Sequence, residues 1–454
     1  GTAATGAAGA AAGTAAACWG EGAGAGGDLE MGGCGGGPLR LSSLAALLRG
    51  RAHEALENRP RAAACYREAL RLDARCYDAF EALVERHMLT SGEERDLVAS
   101  LELPEEDGWL RCMYEAKARV GCGAGEAAPG APGDTHDEGP ASSLALLGPE
   151  AAPLRGSADV VACEAEAAYR RGDAERAVEL TRGLLERDPL GFGCLPVHLC
   201  ASVELRHKND LFLRAHKLVD EHPDRAVAWF AVGCYYYCVR RFDAARRYFG
   251  KATAVDGAFA EAWVGFGHAF AAQDESDQAM AAYRTAARLF PGCHLPVLCM
   301  GVEYSRTANL SLAEQSFYQA LSIAPSDPLV YNELGVLAYK NRDYAGAAEC
   351  LGHALERLDQ PLSPYWEAAA VNLGHAHRKL RNFGEAVRWY EQALALMPNA
   401  ASTATALGFT HHLAGDASLA IEYYHKALAL RPEDSFATEM LTAALMEESA
   451  APLP

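Results

Sequence analysis

One spacing constrains this chain more than anything else in it. Gly233, Gly267 and Gly301 stand 34 residues apart, and so do Ala245, Ala279 and Ala313. Within the unit that begins at Ala260, Trp263, Phe266, Gly267 and Phe270 fall at i, i+3, i+4 and i+7, which is one stripe of a helix. Ala279, Tyr283 and Ala286 make the facing stripe of a second helix, and Pro291 stops it. Gly267 and Ala279 are small because the two backbones must approach closely there. One such hairpin cannot bury its own stripe, so stability has to come from stacking on neighbours.

A helix-turn-helix period of 34 residues is the tetratricopeptide signature. The expected fold is therefore all-α, a repeat solenoid wound as a right-handed superhelix and closed by a C-terminal capping helix. Downstream the phase runs through Gly335, Gly374 and Gly408. Gly374 follows Gly335 by 39 residues, so about five residues near 360–365, with Pro361 and Pro364, are inserted and belong in a loop. Upstream the same phase passes through Leu199 and Ala165, and a separate unit from Ser43 to Cys76 fits through Gly50, Ala62, Tyr66 and Ala69. Tyr77 to Met88 begins a further first helix. Ser435 to Glu447 reads as the cap, with Phe436, Met440, Leu441 and Leu445 as its apolar side.

This gives five segments. Residues 1–37 are almost all Ala, Gly and Thr, which cannot build a core and are expected to be disordered; they lack the basic start and apolar run of a signal peptide. Residues 38–120 form an N-terminal repeat block, and 121–157, rich in Gly, Pro and acids, a flexible loop. About seven further repeats fill 158–434, and 435–454 are the capping helix and tail.

Composition removes several function classes. No apolar run approaches the ~18 residues of a membrane span, so a soluble protein without a membrane partner is expected. The formal charge of −19 argues against nucleic-acid binding, which favours basic faces. The 14 cysteines are scattered, with no paired C-x2-C and no matching histidines; Cys234 with Cys238, and Cys293 with Cys299, read as small apolar fillers of a reduced intracellular protein. No metal or cofactor is expected. No nucleophile elbow, phosphate loop or H-E-x-x-H occurs, and Gly265 to Phe270 lies mid-helix, so the chain reads as a non-enzyme.

Binding is expected in the groove lined by the first helices. If positions 4, 7, 8 and 11 of each unit face the second helix, positions 2, 5, 9 and 12 point into the groove. That rule selects Phe230, Tyr237, Tyr339 and Phe409 as aromatic anchors for an extended or helical peptide. It selects Asn332, His375 and Arg378 as polar contacts, with His268 and His412 beside them. The alternative is that several of these residues pack against neighbouring first helices. The pair His411 and His412 is read as surface or groove.

Several strings go further than the repeat requires. NRPRAAACYREALRLDARCYDAFEALVERHMLTSGEE, RDPLGFGCLPVHL, KLVDEHPD, AWFAVGCYYY, ARRYFGKAT, DQAMAAYRTAARLFPGCHLP and AEQSFYQALSIAPSDP closely resemble the sixth-subunit tetratricopeptide scaffold family of the anaphase-promoting complex, over roughly Pro38 to Met446. CLPVHL and GCHLP include positions that the generic repeat leaves free. The resemblance implies a non-catalytic subunit of a multisubunit E3 ubiquitin ligase that drives mitotic exit, acting in nucleus and cytoplasm. It implies other subunits of that complex as partners, among them a very small accessory subunit whose N-terminal segment lies in the C-terminal groove, from Trp229 to His412. It also implies a homodimer, but the further repeats that carry that interface have the Ala/Gly-rich segment in their place, and the acidic tail usual after the last repeat is missing. Either the chain is a fragment or truncated product, or dimerisation is achieved differently. The competing readings are a co-chaperone that clamps a C-terminal carboxylate, for which the groove offers Asn332 and Arg378 but no Lys and Asn cluster across three repeats, and another peptide-binding adaptor.

Overall fold

The computed structural model describes residues 40–120, 156–188, 191–358 and 362–450. The expectations for 1–37, and for nearly all of 121–157, lie outside those residues.

The described chain is a stack of antiparallel helical hairpins. α1 (Leu41–Ala55) pairs with α2 (Arg59–Leu72), and α3 (Tyr77–Glu85) is followed by α4 (Ser91–Ser100) and α5 (Gly108–Val120). α6 (Ala158–Arg170) pairs with α7 (Ala174–Arg187), α8 (Leu195–Glu204) with α9 (Lys208–Glu221), and α10 (Ala226–Cys238) with α11 (Phe242–Val255). α12 (Ala260–Ala271) and α13 (Ser276–Leu289), α14 (Leu295–Arg306) and α15 (Leu310–Ile323), and α16 (Pro328–Lys340) and α17 (Tyr344–Glu356) continue the series. α18 (Glu367–Lys379) with α19 (Phe383–Leu396), and α20 (Ala401–Ala414) with α21 (Ala417–Leu430), complete it, and α22 (Ser435–Ala450) covers the end. α5 packs on α6, so the stack runs on across the segment between them.

Seven of the hairpins are pinned by one recurring contact. A Cβ added at Gly50, Gly233, Gly267, Gly301, Gly374 or Gly408 would meet the ring of Tyr66, Phe249, Tyr283, Phe317, Tyr390 or Tyr424, always sixteen residues on, and at Gly335 it would meet Leu351. The missing side chain is the hole and the ring is the knob. Those rings are fully or almost fully buried, and each contributes about 1.5–3 kcal/mol of transfer free energy.

The turn between the two helices repeats as strictly, although the sequence hides it. Gly172, Arg206, Arg240, Asp274, Ala308, Arg342, Arg381 and Gly415 all have positive φ, between 56° and 93°. This is the left-handed residue that ends a helix and starts a tight turn. Glycine fills it only twice in that series, and elsewhere an ordinary side chain carries the strain at an exposed position.

A second set of contacts joins residues about 200 positions apart, where the superhelix meets its own next turn. Arg59 Nη1 donates to the carbonyl of Leu289 and its guanidinium lies 4.7 Å from the Phe290 ring. The Gly292 amide donates to His87 O at 2.9 Å, and Ser91 Oγ to Ile323 O at 2.8 Å. Lower down, Trp366 Nε1 donates to Arg171 O at 2.7 Å and Ser363 Oγ to Gly172 O at 2.9 Å. The described part of the insertion before α18 is thus a buried strut: Leu362 and Trp366 are 5% and 2% exposed, and Pro364–Trp366 form a 3-10 turn.

The cap departs from its expected register. Ala437 and Ala444 are buried, with Met440 and Leu441 half-buried beside them, whereas Phe436 and Leu445 are nearly half exposed. Helices in this stack touch through alanines, which let the backbones close up, and the larger residues are turned to the margin.

Candidate partner-binding groove

Along the first helices α10, α12, α14, α16, α18 and α20, position 12 of each unit is at least partly accessible, whereas position 5 is buried in α10, α14 and α20 and half-buried in α12, α16 and α18. Phe230, at position 5, is 2% exposed and lies between Phe249 and Phe259, with ring centroids 5.5 and 5.1 Å away. It is a core residue and is removed from the anchors. Leu298 and Thr405, one repeat-phase equivalent each, are buried likewise. The reason is geometric: a first helix touches its own second helix and also the next hairpin, and Phe230 is wedged between the two. His411 is also buried, with its ring stacked on Tyr423 at 5.5 Å, so only His412 of that pair faces the groove side.

The other expected residues remain at least partly accessible, and most are held by a neighbour. Tyr237 meets Phe242 edge-on at 5.4 Å, and Tyr339 meets Tyr344 in the same way at 5.3 Å. His268 Nδ1 and Tyr283 Oη are hydrogen-bonded at 2.8 Å, and His375 Nδ1 pairs with Tyr390 Oη by the same geometry. These are the same two slots in different repeats, so the ring that fills the glycine hole also fixes the orientation of a groove histidine. Burial, together with the charges of Arg378 and Lys379, holds His375 down to about 4; it is a neutral hydrogen-bonding group near neutral pH.

The C-terminal end of the groove is the most elaborated part. The Arg378 guanidinium lies 5.1 Å from the Phe409 ring centroid, a cation–π contact. Phe409 in turn meets Phe436 of α22 at 5.5 Å, and His412 Nε2 pairs with Glu447 Oε2 at 3.1 Å. The cap therefore contributes to the groove wall, a role that sequence periodicity did not reveal. Two polar atoms in the wall, Asn332 Oδ1 and Arg378 Nε, are buried with no hydrogen-bond partner among the described residues.

Charges that the 34-residue phase did not single out lie deeper in the superhelix. Glu94 is 5% exposed and burial pushes its carboxyl up to about 8, against the opposing pull of Arg170. Glu261, at groove position 2, is pushed to about 7, again by burial. His294 and Asp327 form a buried pair at 2.6 Å. Among the described residues no helix is long and apolar enough to cross a membrane.

Comparison with known proteins identifies the lineage. Residues 230–292 and 367–433 each match a family profile described as tetratricopeptide repeat. Over 417 residues the chain is 47% identical to anaphase-promoting complex subunit 6 of Arabidopsis thaliana, covering 90% of this chain and 75% of that one. The chain belongs to the anaphase-promoting complex subunit 6 family. Another family member, cell division cycle protein 16 homolog of Homo sapiens, is 42% identical over 372 residues, but this chain spans only 57% of its length. A solved structure of the family, from the crystal structure of the APC/C hetero-tetramer Cut9-Hcn1, superposes with a TM-score of 0.66 at 35% identity, covering 90% of this chain and 77% of that chain.

Proposed function

We propose that this chain is a non-catalytic scaffold of the anaphase-promoting complex, the E3 ubiquitin ligase of mitotic exit, acting in nucleus and cytoplasm. Its groove holds an extended segment of a small accessory subunit. The observation that carries this reading is the likeness, over 90% of this chain, to a chain of the APC/C hetero-tetramer Cut9-Hcn1. The groove supplies matching chemistry. Tyr237, Tyr339 and Phe409 offer apolar and aromatic contact area, and His268, His375, Asn332, Arg378 and His412 offer hydrogen bonds along one continuous wall. All of them stand on helices pinned by a buried ring or, in α16, by the buried Leu351, so little ordering is needed when the segment arrives. A co-chaperone reading has no support here, because the groove lacks repeated carboxylate-binding cations.

The test is co-expression of the full chain with the small accessory subunit of the same organism, followed by titration. Tyr339→Ala together with Arg378→Ala is expected to weaken binding by at least about tenfold and to leave the thermal midpoint of the unliganded chain nearly unchanged. A wild-type complex that melts no higher than the free chain would sink the reading, since specific ligands raise stability by mass action. Light scattering on the same sample reports whether two copies associate.

A further inference from the structure

The acidic chain has a basic stretch: between residues 206 and 251 there are ten Lys and Arg against five Asp and Glu. The same stretch carries a run of aromatic residues that the groove does not use. Tyr235 lies two residues before Tyr237, about 200° around α10 from that groove position. It meets Phe212 of α9 at 5.4 Å, and Phe212, 42% exposed, meets His216 at 4.5 Å. Tyr236 stacks on Tyr248 of α11 with centroids 5.3 Å apart and planes 2° from parallel, so the aromatic surface continues into the next hairpin as a preformed ledge.

The charges along this seam are unbalanced in a specific way. Two of its acids are engaged, Asp210 by His198 and Arg214 and Asp243 by Arg246 and Gln273, and the exposed Asp220, Glu221 and Asp224 stand at or just beyond the far end of α9. Three cations at the near end are not held. Arg206, Lys208 and Arg240 are exposed, and none forms an ion pair with a described residue. Arg206 and Lys208 lie beside Cys238, at the end of α10 two residues before Arg240. Free cations thus edge an exposed aromatic ledge.

We propose that the α9–α10 seam is a second docking surface, which takes an acidic segment of a partner protein with an aromatic or aliphatic residue as its anchor. The anchor lies against Phe212 and Tyr235, and the acids face Arg206, Lys208 and Arg240. Charge complementarity chooses this occupant over a second copy of the chain, whose net charge is −19. Apolar contact supplies most of the affinity, and the charges supply orientation and the rate of encounter.

The probe is a short fluorescent glutamate-rich peptide with one central tryptophan, titrated into the full chain by anisotropy beside its glutamine counterpart. Binding is expected to weaken with added salt. The glutamine peptide, the Arg206→Glu/Arg240→Glu variant and the Phe212→Ala variant are each expected to bind about tenfold more weakly, with melting curves unchanged. The groove variant Tyr339→Ala/Arg378→Ala is expected to bind the probe as wild type does. Equal binding of both peptides, or loss of binding in the groove variant, overturns the proposal. So does tighter capture of a labelled oligonucleotide with the same sensitivity to charge reversal, or self-association through the seam that Phe212→Ala abolishes.

Discussion

At Gly267 the two helices of one repeat touch each other, and at Gly292, in the turn after the same repeat, the chain touches itself one superhelical turn away. Both positions exclude a side chain. At Gly267 a Cβ would run into the Tyr283 ring, whereas at Gly292 it would run into the backbone carbonyl of Leu89. The first contact spans sixteen residues and recurs down the array. The second spans about 200 and does not recur with the 34-residue phase. Local contacts hold the hairpins together, and the long-range ones set how tightly the superhelix closes, hence the width of its groove. Stability and shape therefore rest on different residues.

The largest effect in free energy is expected at the local contact. Gly267→Ala forces Tyr283, 1% exposed, off its place and should cost about 1–3 kcal/mol, the usual range for overpacking a close-packed site. Urea denaturation followed by helical signal measures it. Because neighbouring repeats are coupled, the loss should appear as a lower midpoint for the array with its overall dimensions kept. A stability change below about 0.5 kcal/mol, the scale of an ordinary surface substitution, would mean that the ring moves aside freely and does not pin the hairpin.

Gly292→Ala is the counterpart, and its effect on shape should exceed its effect on stability. The new methyl wedges the α13–α14 turn away from Leu89 and breaks the Gly292 N–H to His87 O bond. The lost hydrogen bond costs about 1 kcal/mol, partly offset by the smaller entropy of the unfolded chain, about 0.4–1 kcal/mol. Small-angle scattering is expected to show an expanded particle, and amide exchange should quicken around His87 to Ser91. An unchanged radius of gyration would show that the turns are held by the Arg59 and Trp366 contacts alone.

The two sites also differ in how far the sequence discloses them. The Gly267 contact is visible in the primary structure because it repeats with the 34-residue phase. The hairpins follow from that phase, and so do the partly accessible positions along the first helices. The inter-turn contacts have no period, and Gly292, Ser363 and Trp366 look like loop residues until the superhelix brings Leu89, Gly172 and Arg171 to them. Phe230 was misplaced for a related reason: helical periodicity gives a residue's direction about its own helix, but not which neighbouring hairpin fills that direction. The left-handed turn position was concealed by Arg206, Arg240, Ala308 and Arg342, since side chains at an exposed turn tolerate the strain and leave no glycine to mark it.

The smallest expected effect sharpens the inter-turn side of the comparison. Glu94, three residues after the Ser91 contact to Ile323, is buried where α4 faces α6, with Arg170 and Glu166 opposite and Glu93 beside it. Its carboxyl is held up to about 8, with desolvation as the leading cause. The folded chain therefore binds this proton more tightly than the unfolded chain does. The stability it gives is present below the ordinary carboxylate range and is lost as pH rises through about 8. Glu94→Gln keeps the shape and removes the charge. It is expected to melt close to wild type near about pH 5 and above it near about pH 9, where wild type must bury an ion. Equal melting shifts at both pH values would show that Glu94 stays ionised beside Arg170, and that the packing of α4 against α6 is held by an ion pair and not by a protonated acid.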